Sequence, residues 1–200
     1  MTAQTGALRR AIALAALLNL GYFGIEFAVA TAIRSVSLFA DSVDFLEDTS
    51  VNLLVLLALG WSLRARARVG MGLAVVLLVP ALAALWALWG KIQLPLPPAP
   101  LPLTLTGMGA MAINLGCALL LVRHRHHGGS LTRAAFLSAR NDVFANIAIV
   151  LAGAVTASTH SVWPDVVVGA GIMLMNADAA GEVWRAAREE HRNAADDAHA

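Results

Sequence analysis

Asp41, Asp44 and Asp48 follow one another at spacings of three and four inside an otherwise apolar stretch, which puts the three carboxyl groups on one face of a helix. Glu47 is the odd one out, about 100° round from Asp48, and is expected to face solvent or a neighbouring helix. Three like charges on one face repel unless protons or a cation compensate them. A divalent metal does this well. Asp44 and Asp48, one turn apart, can present two carboxylates to one ion, and the remaining ligands then come from another helix. The stretch SARNDVFAN supplies them, because Ser138, Asp142 and Asn146 repeat at a spacing of four. Two helices, each offering two groups a turn apart, give a four-coordinate, all-oxygen site of three carboxylates and the Ser138 hydroxyl. Asp, Ser and Asn at this spacing also act as hydrogen-bonding glue between membrane helices, a reading that suits Ser138 and Asn146 better than it suits three uncompensated carboxylates. In a third stretch Asn19, Tyr22 and Glu26 recur at three and four, and either line the same cavity, serve a proton path, or pack.

These residues need a scaffold, and composition says which kind. The 200 residues are 58% hydrophobic and 14% charged, with a mean hydropathy of +0.70, far from the roughly 25% charged composition of a soluble domain. Apolar runs near 11–33, 37–63, 69–90, 101–122, 134–157 and 162–182 each cover the ~20 residues of a spanning helix. The expected fold is therefore all-α, a polytopic six-helix membrane bundle. Residues 1–10 form a short leading segment, 11–182 the transmembrane domain and 183–200 a polar tail. Soluble enzymes, nucleic-acid binders and disulfide scaffolds are excluded. Cys117, the sole cysteine, lies in the fourth run and reads as packing. The first run is longer than a signal h-region and carries Asn19, Tyr22 and Glu26, so it reads as a mature helix. Within such a bundle Glu26, Asp41, Asp44, Glu47, Asp48 and Asp142 fall in or at the edge of apolar runs. Each carboxylate there costs roughly 2.5–3.5 kcal/mol on insertion scales, so a chain that keeps several uses them.

Eleven of the fourteen Lys and Arg residues fall on one side of a six-helix hairpin series, while Arg34 and Lys91 fall on the other. The positive-inside rule then puts both termini in the cytoplasm of a multi-pass inner (plasma) membrane protein. Leu94–Pro102 is proline-rich and is expected to be a stiff loop rather than helix. In RHRHHGGSLTR the Gly128-Gly129 pair is expected to end one helix, and Ser130 or Thr132 to cap the next. His124, His126 and His127 in that loop either collect metal or form a solvated turn; their spacing lacks the geometry of a closed zinc site. Trp61, Trp89 and Trp163, near the ends of runs, read as interfacial anchors.

SVSLFADSVDFLEDTSVNLLVLLAL resembles the second transmembrane helix of the cation diffusion facilitators, with its pattern S-x-x-L-x-A-D-x-x-[HD]-x-x-x-D. TRAAFLSARNDVFANIAIVLAG is similar to that family's fifth helix, R-A-x-x-L-H-x-x-x-D-x-x-x-[NS]. Asp165 in WPDVVVGAGIML sits where the sixth helix usually begins with an aspartate, and Asn19 and Glu26 match polar positions of the first. The resemblance implies a divalent-metal/proton antiporter in which Asp44, Asp48 and Asp142 hold the ion. Ser138 departs from the family, which commonly has histidine there. The change weakens a zinc assignment and leaves manganese, iron(II), cobalt and cadmium open, with Asn141 beside it able to offer a carbonyl in place of the imidazole. Most members resemble a six-helix unit followed by a cytoplasmic metal-sensing domain; with EVWRAAREEHRNAADDAHA after the sixth run, that domain is not expected here, and any homodimer is expected to form through membrane helices.

The expected function is efflux of a divalent metal cation as transported substrate, exchanged for protons, with the lipid bilayer as the surrounding partner and no prosthetic group. The competing reading is a non-transporting membrane protein of the same fold that binds metal or a partner. An intramembrane metal-dependent hydrolase is a third, but the runs hold no convincing nucleophile, acid/base histidine or substrate-anchoring motif to support it.

Overall fold

The computed structural model describes residues 3–58, 82–122 and 129–176, with side chains over 6–54, 82–122 and 141–176. Among these residues the fold is helical throughout: α1 (Ala3–Ile33), α2 (Val36–Ala58), α3 (82–93), α4 (Pro100–Val122), α5 (Gly129–Thr159) and α6 (163–176). The segments 59–81, 123–128 and 177–200 lie outside the described residues. They include Trp61, the histidines His124, His126 and His127, and the polar tail.

Among the described residues three helical stretches are long and apolar enough to cross a membrane: Gly6–Ile33, Pro100–Val122 and Asn141–Thr159. At a rise of about 1.5 Å per residue even the 23-residue α4 reaches roughly 34 Å, more than the hydrocarbon core. α2 has the same 23 residues, but its carboxylates interrupt the apolar run. The outside of the bundle is apolar, with Leu17, Trp86, Leu101, Phe144 and Leu174 all more than half exposed. Its inside is polar. Asn19, Glu26, Asp41, Asn114, Asn146 and Asp165 are buried, as expected where lipid rather than water surrounds the protein.

α1 packs chiefly along α2, and α4 along α5; α1 also meets α4, and α2 meets α5. That arrangement brings the acidic stretches of α2 and α5 together. The apolar core that holds them is Ala30, Leu38, Ala40, Leu103, Ile149 and Ile172, drawn from α1, α2, α4, α5 and α6.

The α1–α2 connection is two residues long. Arg34 takes a left-handed backbone, φ 55°, and the Ser35 amide returns to the Ala30 carbonyl at 2.9 Å, closing α1 in a Schellman turn with arginine at the place glycine usually fills. α5 also ends on a left-handed residue, His160 at φ 54°, but by the simpler αL cap, with the His160 amide on the Thr156 carbonyl at 2.9 Å. Ser35 then caps α2 by accepting the Leu38 amide at 3.2 Å.

Two sequence expectations about local structure fail. Leu94–Pro102 is only partly loop, because α4 begins at Pro100 and its first bond runs from the Leu103 amide to the Ala99 carbonyl at 3.2 Å. Pro100 and Pro102 fit there since the N–H groups of a first turn have no partner within the helix. α5 already runs from Gly129, so Ser130 and Thr132 lie in its first turn rather than at its cap; LTRAAFLSAR is rich in helix formers, and they extend the helix back through the cap position.

Candidate metal centre

Asp44, Glu47 and Asp48 of α2, Asn141 and Asp142 of α5, and Met175 and Asn176 of α6 line one cavity of about 110 Å³. Water occupies ~30 Å³ per molecule in the liquid, so the space admits an ion with part of its hydration shell. The polar lining is carboxylate and amide oxygen, the donor set of hard or borderline divalent cations, and the Met175 thioether is the one soft group. Among the described residues no three acidic, histidine or cysteine side chains close into a tight metal cluster; the carboxylates border the cavity rather than meet at a point.

Asp44, Asp48, Asp142 and Asn141 thus border one space. Ser138 belongs to α5, four residues before Asp142, but its side chain lies outside the described residues. Glu47 differs from expectation. It borders the cavity beside Asp44 and Asp48, because α6 and α5 bound the space broadly enough to take in a residue a quarter-turn round.

Asp41 differs as well. It is fully buried and turns from the cavity to accept the Asn146 amide at 2.6 Å. Asn146 in turn accepts from Asn114 of α4 at 3.2 Å. A second chain of the same design reaches Asp48: its Oδ2 accepts the Asn19 amide at 3.4 Å, and the Asn19 carbonyl accepts the Cys117 thiol at 3.5 Å. Asn114 and Cys117, one turn apart on α4, therefore each steady an asparagine on another helix, and each asparagine addresses one carboxylate of α2. Cys117 has a polar partner as well as packing contacts. Asn146 and Asn19 do not line the cavity; they orient the acids of α2 from behind.

Nor do the other polar residues of α1 line the cavity. The Tyr22 hydroxyl donates to the Thr106 carbonyl at 2.6 Å, and it stands where a side chain on Gly109 would project. Glu26 is fully buried beside Asp41.

At the end of the bundle that holds Arg34, Asp165 ties four segments together. It accepts the Val36 amide at 2.9 Å, the Ser37 amide at 3.1 Å, and the hydroxyls of Ser35 and Ser37 at 2.7 Å each. Lys91 of α3 lies 3.7 Å from the same carboxylate and donates to the Arg34 carbonyl. Gly169, one turn after Asp165, allows this approach, because a Cβ there would lie 2.9 Å from the Ser37 amide nitrogen. Sequence reading singled out Asp165 only by resemblance, and it missed Lys91, Met175 and Asn176. Their partners lie far away in the chain, and no periodicity marks them.

Residues 12–190 match the family model described as the cation efflux transmembrane domain. No curated protein matches the chain.

Proposed function

Because the chain belongs to the cation efflux family, a family of membrane transporters that move divalent cations, we propose that its substrate ion is held by Asp44 and Asp48 of α2 and Asp142 of α5, with Ser138 or Asn141 as a further oxygen ligand, and leaves the cell in exchange for protons. The observation that carries this reading is the shared cavity: carboxylates from two helices, far apart in sequence, border one space inside the bundle. Binding needs the carboxylates deprotonated, so protons arriving from the far side loosen the ion and favour its release. Alternating access follows if helices rock around this fixed site.

The oxygen-rich lining suits manganese, iron(II) and cobalt better than zinc or cadmium, and all five are tested. The count of eleven cations on one side supports an inner-membrane protein with cytoplasmic termini. The domain limits 11–182 and a dimer formed through membrane helices belong to the same reading.

The test uses purified protein in liposomes with an imposed pH gradient, following uptake of each of the five ions for the wild type and Asp48→Ala. Gradient-dependent flux that Asp48→Ala abolishes supports the reading. Flux unchanged in Asp48→Ala overturns the site, and metal binding without flux by the folded wild type marks instead a non-transporting protein of the same fold.

A further inference from the structure

Glu26 is 0% exposed, and among the described residues neither of its carboxyl oxygens has a hydrogen-bond partner; Oδ1 of Asp41, also 0% exposed, has none either. A bare carboxylate is costly in any protein interior and more so inside a membrane bundle, so two adjacent ones with donors on only one of their four oxygens demand compensation. Among the described residues the neighbours do not supply it. Tyr22, one turn away on α1, commits its only proton to the Thr106 carbonyl. α4 carries no charged side chain, and its one ionisable group, the Cys117 thiol, is turned to Asn19. From α5 the amide of Asn146 reaches the other oxygen of Asp41, Oδ2, at 2.6 Å, while Asp142 faces the cavity. From α2 Asp44 and Asp48 bring further negative charge, and Lys91 is engaged with Asp165 at the end of the bundle. The orphaned carboxyl groups of Glu26 and Asp41 lie side by side where α1 packs on α2, both 0% exposed and with no donor group placed between them. Two carboxyl groups form a hydrogen bond only when a proton lies between them.

We propose that Glu26 and Asp41 share one proton and are the carrier of the exchanged proton, apart from the groups that hold the metal. The inference rests on the transport reading and deepens it. Asp41 accepts from Asn146 and so keeps the charge, leaving Glu26 to carry the hydrogen. Asp41 is three residues from Asp44 on α2, so the pair and the ion sense one another's charge through a single turn of helix. A cation entering among Asp44, Asp48 and Asp142 drives the proton off Glu26 to water on the side then open, and a proton returning from the other side restores the Glu26–Asp41 bond and repels the ion. Charge is carried by a group that never ligates the metal, so proton exchange survives the absence of a histidine at position 138.

Glu26→Gln tests this, since the amide keeps the size and the hydrogen-bond donor of the protonated acid but cannot release a proton. Zinc and manganese binding are measured by calorimetry in buffers of different ionisation enthalpy, alongside flux in liposomes. The expected result is about one proton fewer released per bound ion, at least about a tenfold loss of flux driven by a pH gradient, and metal–metal exchange without a gradient within about twofold of wild type. Unchanged proton release overturns the proposal, and so does loss of metal binding, which would put Glu26 at the ion itself. Should Glu26→Gln not fold, Asp41→Asn removes the other half of the pair at constant size and is expected to lose the same proton. A wild type that binds but does not transport defeats the transport reading while the calorimetric proton count still decides this one.

Discussion

The carboxylate of Asp165 caps a helix other than its own, accepting the Val36 amide that begins α2 at 2.9 Å. Two backbone amides, two serine hydroxyls and the Lys91 ammonium converge on this one fully buried group. Asp165→Ala leaves the amides without their acceptor and a buried lysine without its counter-charge, a change that costs about 3–5 kcal/mol when one partner of a buried pair is removed. A large drop in thermal midpoint in detergent is therefore expected, and Lys91→Met, which deletes the lysine along with its need for a partner, should lower it far less. Equal losses would mean that the ion pair rather than the capping of α2 carries the stability.

Asn19 touches no cavity wall, yet it holds Asp48. Residues that orient metal ligands in this way change affinity about 10–100-fold when replaced. Asn19→Leu is expected to weaken divalent-ion binding by at least about tenfold with the helical signal unchanged, whereas Cys117→Ser keeps a donor toward Asn19 and stays near wild type. Titration calorimetry on the two variants checks the order, and a Cys117→Ser defect as large as that of Asn19→Leu would break it.

Glu47 adds a third α2 carboxyl group to the cavity rim. Since carboxylate count tunes cation affinity, Glu47→Gln should raise the KM for metal a few-fold while leaving maximal flux close to wild type. A fall in maximal flux at unchanged KM would place Glu47 in the transport step instead.

Gly169→Ala puts a methyl group 2.8 Å from Val36 Cγ1 and 2.9 Å from the backbone of α2's first turn. Backbone cannot yield as a side-chain tip can, so overpacking of about 1–3 kcal/mol is expected. Gly171→Ala, two residues on and open on that side, serves as the control and should melt with the wild type.

The helical architecture and the cavity acids were legible because they obey short periods. Asp44, Asp48 and Asp142 fall at spacings of a helical turn, and hydropathy alone marked the helices around them. Asp41 shows where periodicity stops. It shares the face of Asp44, but a face is wide enough for side chains to diverge, and Asn146 from another helix decided which way Asp41 turned. Glu47 shows the converse, a residue off the acidic face that the breadth of the cavity takes in. Asp165 and its partners were out of reach for a different reason: capping amides appear in no side-chain pattern, and Ser35 is 130 positions away.

That knot at one end of α2 has a mechanical side. Held at Ser37 by α6 and, through Lys91, joined to α3, the helix is anchored there and has a lever arm running to its acids. Asp48 lies eleven residues further on, about 16 Å along the axis, so a tilt of ~10° about the anchor swings it about 3 Å. Asp44, seven residues along, swings less, about 2 Å for the same tilt. A small rotation at the fixed end is thereby magnified at the cavity, and it displaces the two acids of α2 by unequal amounts relative to Asp142.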